Sequence, residues 1–293
     1  MSLTTQSGQS SAVSNLRICF YGAGSMAEAL VRGLIHNNLA EPGRISMLNR
    51  QNADRLRELH DRYGIVTVQQ GVSPEDLLQD ADIVMLAMKP KDAAEAIAQI
   101  RHLLRPEQLI VSVIAGLSID SLSRLIGKPV SIVRTMPNTS STIGLGVTGL
   151  SYSAGVTDRQ RIVAEQLFGA VGMTVTIPES MQDAVTGVSG SGPAYVYYFM
   201  ESMIAGAVEL GFDPEESRRL VLQTFLGAAE MVRQTGEDPA ELRRKVTSPN
   251  GTTQAAIELM ERDGLKTTVM GAVARSAERA GEIGKELERK INE

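Results

Sequence analysis

The feature that most constrains this chain is a change of rhythm past its middle. Up to about residue 177, short apolar runs alternate with longer amphipathic stretches; beyond Pro178 the strand-like runs cease and helix-start signals follow one another. The runs fall at 16–21, 45–49, 66–68, 83–87, 109–114 and 131–134, separated by stretches such as 53–63 whose apolar residues recur at helical spacing. Unbroken rather than alternating apolar character says that both faces of each strand are covered. Strands alternating with helices in this way predict an α/β fold with a Rossmann-type, doubly wound, mostly parallel sheet. Two further runs, 146–153 and 174–177, flank a helix opened by Thr157 and Gln160 in a capping-box pattern, and are expected at the sheet edge.

The later part reads as all helix. Asp213-Pro214 with Glu216, and Asp238-Pro239 with Glu241, each place a capping carboxylate, a proline at the first helical position and an acid in the first turn. The expected division is a dinucleotide-binding domain over 15–178 and an all-helical substrate and dimerisation domain over 179–293. Residues 1–14 are polar and rich in Ser, Thr and Gln, and are expected as a disordered tail outside the fold. The helix near 194–210 is apolar almost all round, with Met200, Met203, Ile204, Ala207 and Val208 on one face and Val196, Tyr197 and Phe199 elsewhere. That pattern fits either a central core helix or an obligate dimer whose subunits interleave helices.

Composition narrows the function. Hydrophobic residues make up 43% of the 293 and charged residues 22%, enough for a buried core. Lys and Arg number 29 against 34 Asp and Glu, a net charge of −5 that gives no general attraction for nucleic acid or anionic lipid. The single cysteine and the scattered His36, His60 and His102 form neither a disulfide framework nor the usual zinc spacing, so no metal is expected. No apolar run approaches the ~18 residues of a membrane span, and no secretory leader is visible. A cytoplasmic location is expected.

Directly after the first strand stands Gly22-Ala23-Gly24-Ser25-Met26-Ala27, a G-x-G-x-x-A fingerprint opening an apolar helix. Gly22 permits the tight turn, Gly24 lets the backbone approach a pyrophosphate, and Ala27 allows the helix to pack closely on the sheet. Ser25 adds a hydroxyl at the helix mouth, where backbone donors and the helix dipole favour an anion. Enzymes that take NAD usually carry an acid at the end of the second strand for the ribose 2′-hydroxyl. Here that place holds Asn49-Arg50. An amide and a guanidinium suit a 2′-phosphate, so NADPH is expected over NADH, with NADH still possible. The fourth strand ends in Ala87-Met88-Lys89-Pro90, where Pro90 keeps Lys89 extended at the sheet edge that binds ligands. The main chain of Ala87, Met88 and Lys89 is expected to line the cofactor cleft, with Lys89 as a phosphate contact or a base. Ala115-Gly116 and Met136-Pro137-Asn138 end the next strands in similar turns and are further candidates for the cleft wall.

Two small-residue loops interrupt the helical part. One is Thr186-Gly187-Val188-Ser189-Gly190-Ser191-Gly192-Pro193; the other is Ser248-Pro249-Asn250-Gly251-Thr252-Thr253. Both empty into apolar helices whose N-termini suit a carboxylate. Neither contains a His or Lys to protonate an alkoxide, so the pair fits reduction of a protonated imine better than of a ketone.

In order and spacing, these motifs resemble the pyrroline-5-carboxylate reductase family: the glycine fingerprint, Lys89-Pro90, Arg134-Thr135-Met136-Pro137-Asn138-Thr139, Gly187 through Tyr195, and Ser248 through Thr253. The last two are the specific ones. The resemblance implies NAD(P)H-dependent reduction of 1-pyrroline-5-carboxylate to L-proline, the last step of proline synthesis, by a homodimer or an assembly of dimers whose helical domains interleave. It further implies that Gly251, Thr252 and Thr253 hold the substrate carboxylate through backbone donors, and that the Thr253 hydroxyl reaches the ring nitrogen as the catalytic contact. Ser189 and Ser191 are then substrate-side residues, with Thr186 and Asn138 toward the nicotinamide. Two departures stand out: Ser140 where the family often has proline, and Asn250 where it usually has glycine. The alternatives are a β-hydroxyacid dehydrogenase type of reductase, whose helical lysine is replaced here by Val196, and a non-catalytic nucleotide-binding relative.

Overall fold

The structure is a computed structural model describing residues 12–50 and 52–292. Of the expected tail, 1–11 lies outside the described residues, whereas 12–14 are part of the fold. Val13 is fully buried in the core and its carbonyl accepts from the Leu16 amide at 2.9 Å, so one apolar side chain anchors a stretch that composition alone marks as polar.

The first unit is built on one eight-stranded sheet. In chain order it runs β1 (Ile18–Tyr21), α1 (Ser25–His36), β2 (Ile45–Leu48), α2 (Ala53–Tyr63), β3 (Val66–Thr67), α3 (Pro74–Gln79), β4 (Ile83–Leu86), α4 (Ala93–Ile100), β5 (Leu109–Ser112), α5 (Ile119–Ile126), β6 (Ser131–Pro137), β7 (Gly146–Tyr152), α6 (Asp158–Gly169) and β8 (Gly172–Thr176). The spatial order is β3-β2-β1-β4-β5-β6-β7-β8, parallel except for the β6–β7 pair. β6 continues three residues past the expected Arg134 because β7 returns beside it, pairing Pro137 with Thr148. β1, β2, β4 and β5 are buried along their whole length apart from Tyr21, as their continuous apolar character requires. One face packs Leu30, Leu34 and Phe168 of α1 and α6; the other packs Ile97 and Leu122 of α4 and α5. Of the expected helix starts, Thr157 with Gln160 completes its capping box, and Asp213 and Asp238 each accept a first-turn amide; Asn52, Ser73 and Ser118 cap other helices in the same way.

The later helices are α7 (Gln182–Val185), α8 (Gly192–Glu209), α9 (Pro214–Thr235), α10 (Pro239–Lys245), α11 (Thr252–Arg262) and α12 (Leu265–Asn292). The chain divides into two compact units, one running up to Gly190 and resuming at Ser276, the other Ser191–Arg275. By compactness, residues 179–190, just past the expected boundary at 178, pack with the first unit. α7 belongs to the first unit because Gln182, buried, donates to the carbonyls of Arg134 and Gly149, and because Arg134 pairs with Glu179 at 3.1 Å and Asp183 at 3.6 Å. The C-terminal part of α12 also belongs there, where Gly284 meets the Gly116 turn and Glu288 accepts from Ser118 and Ser121. Gly116 is thus covered by this chain's own helix.

The second unit buries only Ser217 and Val221 among its residues. Phe199 and Phe225 tie α8 to α9 edge-to-face, with centroids 5.9 Å apart. No residue of α8 is buried, so it is not a central core helix of this chain. Among the described residues no helix is long and apolar enough to cross a membrane.

Glu28, in the first turn of α1, ties that helix to α2 through Arg55, Arg62 (2.8 Å) and Tyr63 (2.9 Å). Burial alone pushes its carboxyl pKa up, but the hydrogen bonds from Arg55 and Tyr63 and the two guanidinium charges outweigh that and hold it below the usual value. A depressed carboxylate contributes stability in full above its unfolded pKa of about 4.3 and loses it as pH falls through the lower folded value. Glu28→Gln is expected to lower stability by about 1 kcal/mol at pH 7. Urea unfolding of both proteins should show the gap closing below about pH 4.3; a gap constant into acid would contradict this role.

Candidate functional site

The order of the sheet reverses between β1 and β4, and α1 and α4 pack on opposite faces, so a crevice opens at the strands' C-terminal ends. It is a cleft of about 460 Å³. Gly22, Ala23 and Gly24 line it from β1, Asn49 and Arg50 from β2, and Ala87, Met88 and Lys89 from β4. Three segments singled out independently in the sequence therefore meet in one place. Ser25, Met26 and Pro90 border the cleft rather than line it.

Gly22 has φ of +124°, and a Cβ there would stand 2.2 Å from the Ala87 carbonyl oxygen. No other residue fits between these strand ends. Gly24 faces open space and caps α1 in an extended conformation with no side-chain cap, so the first amides of α1 have no helical or capping partner. Uncapped donors at the positive end of a helix dipole fit a pyrophosphate. Lys89 is extended (φ −68°, ψ 146°), and Pro90 then opens a short 3-10 turn over Pro90–Asp92. That turn brings Lys91 to the cleft, a cation the sequence reading missed. The signal was a basic residue two positions beyond Lys89, legible only once the turn is known.

Arg50 lies at the cleft but is already paired, its Nη1 donating to Glu95 Oε1 of α4 at 2.5 Å. Tyr21, also lining the cleft, has its hydroxyl pKa raised by burial and by the nearby Glu95 and Cys19, with Arg50 working against them. Cys19, buried in β1, has its thiol pushed up to about 12 by burial, so it is inert at neutral pH.

A second group forms beside β6. The Asn138 amide, mostly buried, donates to the Ser189 carbonyl at 3.0 Å and accepts from the Val147 amide at 3.2 Å. It thus pins a π-helical turn over Thr186–Gly190, a local departure frequent at functional sites. The hydroxyls of Thr186 and Ser189 donate to the carbonyls of Gln182 and Val185, leaving their lone pairs to accept.

The third group lies in the second unit, with Ser191. Asn250 has φ of +59°, the left-handed conformation that asparagine tolerates better than other non-glycine residues, so the loop keeps its turn without the usual glycine. A Cβ on Gly251 would meet the Ser248 hydroxyl oxygen at 2.5 Å. Gly251 caps α11 without a side-chain hydrogen bond, and Thr252 and Thr253 occupy the first two helical positions. The structure thus gathers the cofactor candidates in one unit and Gly251, Thr252, Thr253 and Ser191 in the other.

A glycine-lined cleft at the switch point of a doubly wound sheet, in a chain that also carries a helical unit, marks a dinucleotide-binding protein. Residues 17–116 match the family described as NADP oxidoreductase coenzyme F420-dependent, and residues 179–283 that described as pyrroline-5-carboxylate reductase dimerisation. The chain is 40% identical over 274 residues to pyrroline-5-carboxylate reductase 1 of Bacillus spizizenii, covering 93% of this chain and 91% of that protein. Among solved structures it is similar to a pyrroline-5-carboxylate reductase of Coxiella burnetii (TM-score 0.85, 35% identity, 93% of this chain and 98% of that one). It is also similar to the Plasmodium falciparum pyrroline carboxylate reductase with NADP bound (TM-score 0.80, 30% identity, 93% and 99%). The chain belongs to the pyrroline-5-carboxylate reductase family.

Gly22→Ala is expected to weaken dinucleotide binding at least about tenfold and to cost roughly 1–3 kcal/mol of stability, because the strand ends must part. Titration of reduced cofactor by fluorescence, beside a urea melt, checks both; wild-type affinity would show that the close approach does not shape the cleft.

Proposed function

We propose that this protein reduces 1-pyrroline-5-carboxylate to L-proline, the final step of proline synthesis, using NAD(P)H with NADPH preferred. The observation that carries the reading is that a chain with a dinucleotide cleft also has a 248–253 loop that keeps its left-handed turn and an uncapped helix end despite Asn250.

When bound, the reduced nicotinamide supplies the hydride. The first amides of α1 would hold the pyrophosphate and Asn49 and Arg50 the 2′-phosphate, while Ala87, Met88 and Lys89 wall the cleft. The amides at Gly251, Thr252 and Thr253 hold the substrate carboxylate against the α11 dipole. In this reading the Thr253 hydroxyl would bond the ring nitrogen and fix the C=N face presented, and Thr186, Ser189 and Ser191 are assigned to the nicotinamide end. A substrate imine bound in its protonated form would keep on nitrogen the proton it already carries, so its reduction would need no proton from the chain. The chain's residues position and desolvate the reactants; none has to donate a proton in this step.

The active assembly is a homodimer. α8 exposes Val196, Tyr197, Tyr198 and Met203, and α9 exposes Leu220, Leu222, Leu226 and Met231, an apolar surface too large for a free face and suited to a second copy. A cytoplasmic location accompanies this reading, with biosynthetic chemistry and a reduced, buried Cys19.

Thr253→Ala is expected to lower kcat about tenfold or more with NADPH affinity unchanged, read by cofactor oxidation and proline formation. Wild-type turnover would remove Thr253 from the reaction. Arg50→Ala should weaken NADPH by about tenfold or more while changing NADH by less than about threefold; equal losses would refute the 2′-phosphate assignment.

A further inference from the structure

The ion pair between Arg50 and Glu95 has a consequence for cofactor choice. Glu95 stands on α4 beside Ala96, which lines the cleft, and its Oε1 accepts from Arg50 Nη1 at 2.5 Å and from Gln99 Nε2 at 3.3 Å. The side chains are 42% and 65% exposed, so the pair is weak and exchangeable. Lys89, Lys91 and Asp92 line the same cleft, leaving cations in excess there. A phosphate dianion recruits a guanidinium in two-pronged fashion, but here it must take Arg50 from a carboxylate that stays nearby and repels it. A ribose bearing a 2′-hydroxyl faces no such contest.

We propose that Glu95 is a specificity-determining residue of the dinucleotide site: its carboxylate competes with the 2′-phosphate for Arg50 and sets how strongly NADPH is preferred over NADH. This rests on the reading that Arg50 meets the 2′-phosphate. The β2 end lacks the acid that usually favours NAD, and α4 supplies one in contact with Arg50. The wild-type preference for NADPH is therefore smaller than the Asn49-Arg50 pair alone would give.

The test uses the full chain without cofactor and two adenosine fragments, adenosine 2′,5′-bisphosphate and 5′-AMP, titrated by calorimetry. Glu95→Gln removes the charge and keeps an acceptor oxygen for Gln99. It is expected to tighten the bisphosphate about two- to fivefold and to leave 5′-AMP unchanged, and the gain should vanish when Arg50→Ala is also present. No change, an equal change in both fragments, or weaker bisphosphate binding would each overturn the proposal. The Arg50→Ala variant alone separates the two readings. If it leaves the ratio of the fragment affinities unchanged, the placement of the 2′-phosphate fails; if it collapses the ratio while Glu95→Gln does nothing, only the role of Glu95 fails.

Discussion

The nucleotide-binding unit depends on one close approach, that of the Ala87 carbonyl to the Cα of Gly22. Parallel pairing of β1 with β4 brings the two strand ends together, and only a residue without a Cβ lets them close. The strand order reverses at this same place, α1 and α4 leave to opposite faces, and the contact shapes the floor of the crevice that opens between the loops. The uncapped start of α1 then stands at the crevice with its first amides unsatisfied. An unfavourable feature in isolation, a helix end without a cap, becomes an anion site because of where the sheet places it.

The substrate side follows the same logic with different material. The turn before α11 needs a left-handed residue, and Asn250 fills the place with a side chain that tolerates φ of +59°. Gly251 is then free to approach Ser248 closely and to cap the helix without a side-chain oxygen. In the other unit, Asn138 ties the π-helical turn at Thr186–Gly190 to the end of β6 and β7, so its amide acts through the placement of Ser189.

Much of this was legible in the sequence where backbone geometry dictates residue type. Gly22, Pro90 before a turn, and the capping pair Thr157 and Gln160 each restrict φ or satisfy a specific amide, and such demands leave a mark on one position. Features that depend on side chains converging from separate elements were not legible. Lys91 reaches the cleft only through a short turn, and Glu95 meets Arg50 from a helix 45 residues later in the chain. The division after Gly190 was hidden because α7 has the same pattern whichever unit receives it, and the partner that decides, Gln182 on the β6 and β7 carbonyls, carries no periodicity. Val13 was missed because a lone apolar residue in a polar stretch is invisible to composition.

The helical unit, with only Ser217 and Val221 buried, has a thermodynamic corollary. In the proposed homodimer such a set of helices gains its folding free energy from association, so that free energy contains the logarithm of protein concentration. Dilution, rather than heat, becomes the gentlest denaturant. In the proposed homodimer, folding of this unit and assembly are a single equilibrium, and the unit's melting midpoint depends on protein concentration as well as on sequence.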